Sequence, residues 1–164
     1  MSIIIGINHV NTSSKQVHNA MNQNEEIRVL YVQPGKYPEE IKIPNTLETF
    51  QKYVCGSIES VRLDRDAYII CNDEGKLIPL PPNRLYGETD FFAGAFLICG
   101  DGGEDLISLT DSQVKKYEKK YHSPLIFLEL YPKLIALKCT PELYAKCMGE
   151  EHQHDAQENE HDER

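Results

Sequence analysis

Two stretches of the chain are apolar without interruption: Ala67-Tyr68-Ile69-Ile70-Cys71, and Phe91-Phe92-Ala93-Gly94-Ala95-Phe96-Leu97-Ile98-Cys99. A strand with one wet face is polar at every second residue, and neither stretch alternates. They predict buried strands, the first of them central in its sheet. Gly94 in the second allows a bulge or a close backbone approach.

The surrounding segments supply the rest of a sheet. Ile27-Arg28-Val29-Leu30-Tyr31-Val32 is β-branched and aromatic, the composition of a strand. Gln33-Pro34-Gly35-Lys36 is a turn with Pro and Gly at type II positions. Glu40-Ile41-Lys42-Ile43 alternates, so these two runs predict a hairpin. Ile58 to Leu63 alternates with one slip of phase, which predicts a bulge. Asp64-Arg65-Asp66 is a turn. The sharpest turn signal is Asn72-Asp73-Glu74-Gly75-Lys76, with Gly75 where a positive φ is wanted. Lys76 to Leu80 then reads as a returning edge strand, and the segment ending Pro81-Pro82-Asn83-Arg84 as a stiff extended exit. Leu125 to Leu130 and Lys133 to Lys138 read as two further strands about Tyr131-Pro132.

Helices are marked by their caps. Asn45-Thr46-Leu47-Glu48 resembles a capping box, with the acid three residues after Asn45. Leu47, Phe50 and Val54 follow at helical spacing, and Gly56 is the candidate C-cap. Thr110-Asp111-Ser112-Gln113 is a capping box opening a helix to about Tyr121. Thr140-Pro141-Glu142 starts a third helix with Pro at its first position. The fold class is α+β: a mainly antiparallel sheet of about five to seven strands with about two or three helices packed on it.

The 164 residues suffice for one such domain over 26–149. Residues 1–25 turn polar after a short apolar start and predict a partly ordered arm. Residues 150–164 predict a disordered tail. That tail holds seven acids (Glu150, Glu151, Asp155, Glu158, Glu160, Asp162, Glu163) against Arg164, a net −6 of the chain's −9. The body is close to balance, which argues against broad binding to duplex nucleic acid. No apolar run approaches the ~18 residues of a membrane span. Five cysteines lack any C-x-x-C spacing, and no secretory leader is visible. A cytoplasmic chain with reduced core thiols is the expectation.

Catalytic motifs are not found: there is no G-x-S-x-G, no phosphate-loop pattern and no Cys with an evident His partner. Gly100-Asp101-Gly102-Gly103 reads as a flexible connector. The histidines of the body are isolated, and those of the tail lack a preformed second shell, so neither a metal nor a cofactor is expected. Lys115, Lys116, Lys119 and Lys120 form a basic stripe, either solvated or available to nucleic acid or to the acidic tail. One site candidate stands out. If the loop after the turn folds back, Asn72, Lys76, Asn83 and Arg84 converge on a phosphate, a carboxylate or an acidic partner.

From Ile27 to Tyr121 the order of motifs resembles an uncharacterised domain family common on phages, plasmids and conjugative elements of Gram-positive bacteria. The resemblance is carried by Val29-Leu30-Tyr31-Val32-Gln33-Pro34-Gly35, Leu47-Glu48-Thr49-Phe50-Gln51-Lys52-Tyr53-Val54, Gly56-x-Ile58-Glu59 and Cys71-Asn72-Asp73-Glu74-Gly75-Lys76. Pro82-Asn83-Arg84, Ala93-Gly94-Ala95-Phe96-Leu97-Ile98 and Ser108-Leu109-Thr110 complete it. One departure is Cys55 before Gly56, where the family often has a second Gly. The resemblance implies an accessory protein of a mobile element and transfers no functional residue. Three functions follow as expectations: a non-catalytic protein that binds a protein partner and counters host defence, a binder of a nucleotide or other small anion, and an enzyme of unknown class. A dimer is compatible with each.

Overall fold

The structure, a computed structural model, describes residues 25–149. Apart from Glu25, the expected N-terminal arm lies outside the described residues, as does the acidic tail. The chain is α+β, with a main sheet of six antiparallel strands and two smaller two-stranded sheets. The main sheet holds β1 (Glu26–Val32), β2 (Glu39–Pro44), β3 (Ile58–Asp64), β4 (Ala67–Asn72), β7 (Phe96–Asp101) and β8 (Leu106–Ile107). Its order is β2-β1-β7-β4-β3, with β8 continuing on β7. Strands β5 (Pro82–Tyr86) and β6 (Asp90–Ala93) form one small sheet, and β9 (Leu125–Leu130) and β10 (Lys133–Lys138) the other. The helices are α1 (Leu47–Val54), α2 (Asp111–Lys120) and α3, residues 141–149. No helix among the described residues is long and apolar enough to cross a membrane.

The uninterrupted apolar runs are explained by cover on both faces. Tyr68 and Ile70 of β4 and Leu97 and Cys99 of β7 pack with Phe50 of α1. Ala67, Ile69, Cys71, Phe96 and Ile98 point the other way, to Val114 and Tyr117 of α2 and to Tyr121 just beyond it. Alternate residues thus serve opposite layers, and both layers are apolar. Truncating Leu97 or Ile69 to Ala would cost about 2–5 kcal/mol in transfer and cavity terms.

Most local expectations match. Pro34 and Gly35 (φ 74°) make the β1–β2 turn, closed by Lys36 N–H donating to Gln33 O at 3.2 Å. The bulge in β3 falls between Arg62 and Asp64. Thr110 and Gln113 cap α2 reciprocally. The β9–β10 hairpin forms about Tyr131 and Pro132.

Four expectations are corrected. The residues after Asn72 do not return as a strand: 73–79 is a run of turns, in which Leu77 and Ile78 N–H both donate to Glu74 O at 2.9 Å. β4 pairs instead with β3 and β7, and Pro79 within the expected strand has no N–H to give a ladder. Gly75 does not adopt positive φ; a side chain there would meet the Ala93 carbonyl oxygen, 2.8 Å from the added carbon. The run from Phe91 to Cys99 is two strands, β6 and β7, because Gly94 at φ 77° turns the chain from one sheet to the next. The N-cap of α1 is Thr46, which accepts from Thr49 N–H at 3.2 Å; Asn45 is buried and its amide donates to Leu106 O at 3.0 Å.

The end of α1 adds a difference with consequences. Cys55, not Gly56, takes the left-handed position, at φ 63° and ψ 39°. A side chain in that region carries a steric cost that glycine avoids. Cys55→Gly is expected to raise stability by about 1 kcal/mol, read as a higher urea midpoint at unchanged slope.

Candidate functional site

The structure does not bring the four candidate residues to one place. Asn72 and Lys76 border one cavity, and Arg84 borders another. Their hydrogen bonds show what each does in the fold.

Asn72 is buried at the end of β4. Its amide N–H2 donates to Val54 O at 3.0 Å and Cys55 O at 3.2 Å, and its Oδ1 accepts from Glu74 N–H at 2.7 Å. One side chain thus satisfies the orphan carbonyls of α1 and starts the following turn. Gly56 makes room for it, since an added carbon there would lie 2.7 Å from Asn72 Nδ2. Asn83 does the same between sheets: its amide donates to Val32 O and Gly94 O, both at 2.9 Å. This fastens the end of β1 to the point where the chain leaves β6.

Arg84 is 2% exposed. Its Nε donates to Tyr121 O at 3.0 Å, its Nη1 to Asn83 Oδ1 at 2.8 Å, and its Nη2 to Lys36 O at 2.7 Å. The guanidinium therefore joins β5 to the end of α2 and to the β1–β2 turn. All its hydrogen-bond acceptors are neutral oxygens, and burial lowers its pKa to about 10. A lysine keeps the charge but lacks the planar fork. Arg84→Lys should cost about 2–4 kcal/mol in denaturant unfolding, because backbone carbonyls on separate elements lose their donor.

Lys76 lies on the exposed turn run, ion-paired with Asp90 and 5.0 Å from the centre of the Phe91 ring. The pairing holds the Asp90 carboxyl below its ordinary range. The cavity there, about 210 Å³, is bordered by Glu59, Asp73, Glu74 and Asp90, by Lys76 as the one cation among the described residues, and by the buried thiol of Cys71. Its field is acidic. Among the described residues no group of three or more His, Cys, Asp or Glu is placed to hold a metal.

The second cavity, about 420 Å³, lies between β5, the end of α2 and the β9–β10 hairpin, and Arg84, Lys119, Lys120 and Lys138 are in its wall. Lys119 and Lys120 belong to the basic stripe of the sequence, and Lys138 stands outside it. Only the return of β10 beside β9 carries that residue to them, so no local pattern could have joined the three.

The α+β sheet with its appended hairpin defines a small domain whose polar centre is structural. Within it, residues 27–122 match the family model of DUF3846, a domain of unknown function, and the chain belongs to that family. No curated relative and no solved structure matches the chain. The family match ends before β9, so the hairpin and α3 stand outside it.

Buried thiols make stability depend on alkaline pH. Burial raises Cys71 from 9.0 to about 12 and raises Cys99 as well. Below pH 9 these thiols are neutral folded or unfolded. Above it the unfolded chain releases protons that the folded chain keeps, so stability falls as pH rises. Arg84 acts in the opposite sense from about pH 10 upward, toward its ordinary 12.5. Between pH 9 and about 10 the urea midpoint should therefore drop, and Cys71→Ala should make that drop shallower.

Proposed function

We propose that this chain is a non-catalytic accessory protein that works by binding a protein partner, and that it does so through the outer face of the β9–β10 hairpin. The observation that carries this reading is the hairpin's composition. Cross-strand pairing sets Ile126, Leu128, Leu130, Ile135 and Leu137 on one face, with Lys133 at its end. Leu128, Leu130 and Leu137 are 42%, 59% and 49% exposed. The opposite face is anchored: Leu125 is buried, and Phe127 lies 5.5 Å from Phe91 of β6. A two-stranded sheet held by one face and showing three exposed leucines on the other is a ready surface for an apolar partner.

The hairpin lies outside the family match, as an element that confers a partner of this chain's own would. The resemblance to domains of phages, plasmids and conjugative elements supports a mobile element as the setting. Countering host defence, for example by occluding a nuclease, is the role we infer there. The acidic tail suits it, since clustered carboxylates can enter a basic nucleic-acid channel. Five free thiols support a reducing compartment such as the cytoplasm.

The test is affinity capture from host lysate with the wild-type chain and with the double variant Leu128→Asp, Leu137→Asp. The expected result is a stoichiometric partner that the wild type retains and the variant loses at unchanged melting temperature. A partner held equally by both, or none held by the wild type, counts against the hairpin.

A further inference from the structure

The groove between β5, α2 and the inner side of the hairpin is independent of the outer apolar face. Arg84, Lys119, Lys120 and Lys138 are in its wall, and among the described residues no carboxylate lines it. The ion pairs of the described body (Arg28 with Asp111 and Glu40, Arg62 with Asp101, Lys76 with Asp90, Lys116 with Asp64) lie outside this groove, which is marked instead by four cations in one wall. Among the described residues, no ion pair takes Lys119, Lys120 or Lys138. The chain has 26 acids to 17 lysines and arginines, so acids were not scarce.

Two of these lysines have a plain structural role. Lys119 and Lys120 are in the last turn of α2, where cations offset the helix dipole. That does not account for Lys138, which arrives from β10. Nor does it account for Arg84, buried beneath with only neutral oxygens for partners. A buried charge without a counter-charge is costly, and an anion nearby offsets it.

We propose that this groove binds a small polyphosphate-bearing ligand, the class to which nucleotides belong. Three lysine ammonium groups in one wall suit several phosphate oxygens, with the buried Arg84 charge behind them, and Ser123 adds a hydroxyl at the wall. Leu85, Tyr121 and Leu125 give the same wall an apolar part for the uncharged end of such a ligand. The volume, about 420 Å³, falls in the range of small-molecule sites. The expected anion function is thereby carried by a different residue set, with Arg84 alone in common.

The experiment is isothermal titration of the full chain, at low salt, with inorganic triphosphate and with adenosine triphosphate. Both are expected to bind. The double variant Lys119→Glu, Lys138→Glu should weaken them at least about tenfold, while Lys76→Glu at the other cavity leaves affinity within about twofold. Equal melting temperatures confirm that each variant folds. Binding of triphosphate alone supports the lysine wall and limits the ligand to its charged part. A further chain carries amides in place of the seven tail acids. Binding that appears only in that chain supports the groove and identifies the tail as a resident competitor. No binding to either chain, or equal weakening by Lys76→Glu, overturns the proposal.

Discussion

Strands β4 and β7 have no solvent face. Each backbone polar group in them must be met by a neighbouring strand, and each side chain by one of two layers. That requirement places β1 and β8 along one side of β7 and sets β3 against the far side of β4. It puts α1 on one face and α2 on the other. The small β5–β6 sheet follows from it, because the chain must leave β4 and re-enter the main sheet as β7 without crossing the core.

The polar residues inside this frame are fasteners. Asn72 ties the end of α1 to β4, and Asn83 ties β1 to the exit of β6. Arg84 joins the β1–β2 turn, β5 and the end of α2. Each donates to carbonyls that no regular element could satisfy, which is why polar groups lie so deep without ion pairs. The Pro82-Asn83-Arg84 element has a structural role in each of its two polar side chains. At the periphery lie a hairpin face with three exposed leucines and a groove with four cations in its wall.

The sequence disclosed those elements whose signal is local. The type II turn at Pro34-Gly35, the capping box at Thr110 and the slipped phase in β3 each depend on a few neighbouring residues, and each is present. The reading failed where long-range contact decides. Asn-Asp-Glu-Gly-Lys carries the composition of a hairpin turn, yet residues 73–79 stay in turns and no strand returns beside β4. Gly75 was assigned to backbone conformation, but the carbonyl of Ala93 is what forbids it a side chain. Cys55 occupies a glycine conformation because α1 must end where Asn72 can reach its last carbonyls.

By itself, then, the sequence determined the class of fold, the buried strands and most element ends, since hydrophobic period and cap chemistry act over a few residues. Tertiary structure alone decided which strand β4 pairs with and where Arg84 points. It also parted Asn72 and Lys76 from Arg84, and brought Lys138 to Lys119 and Lys120. Those outcomes depend on which distant carbonyls and faces need a partner, and no window of sequence contains both halves of such a contact.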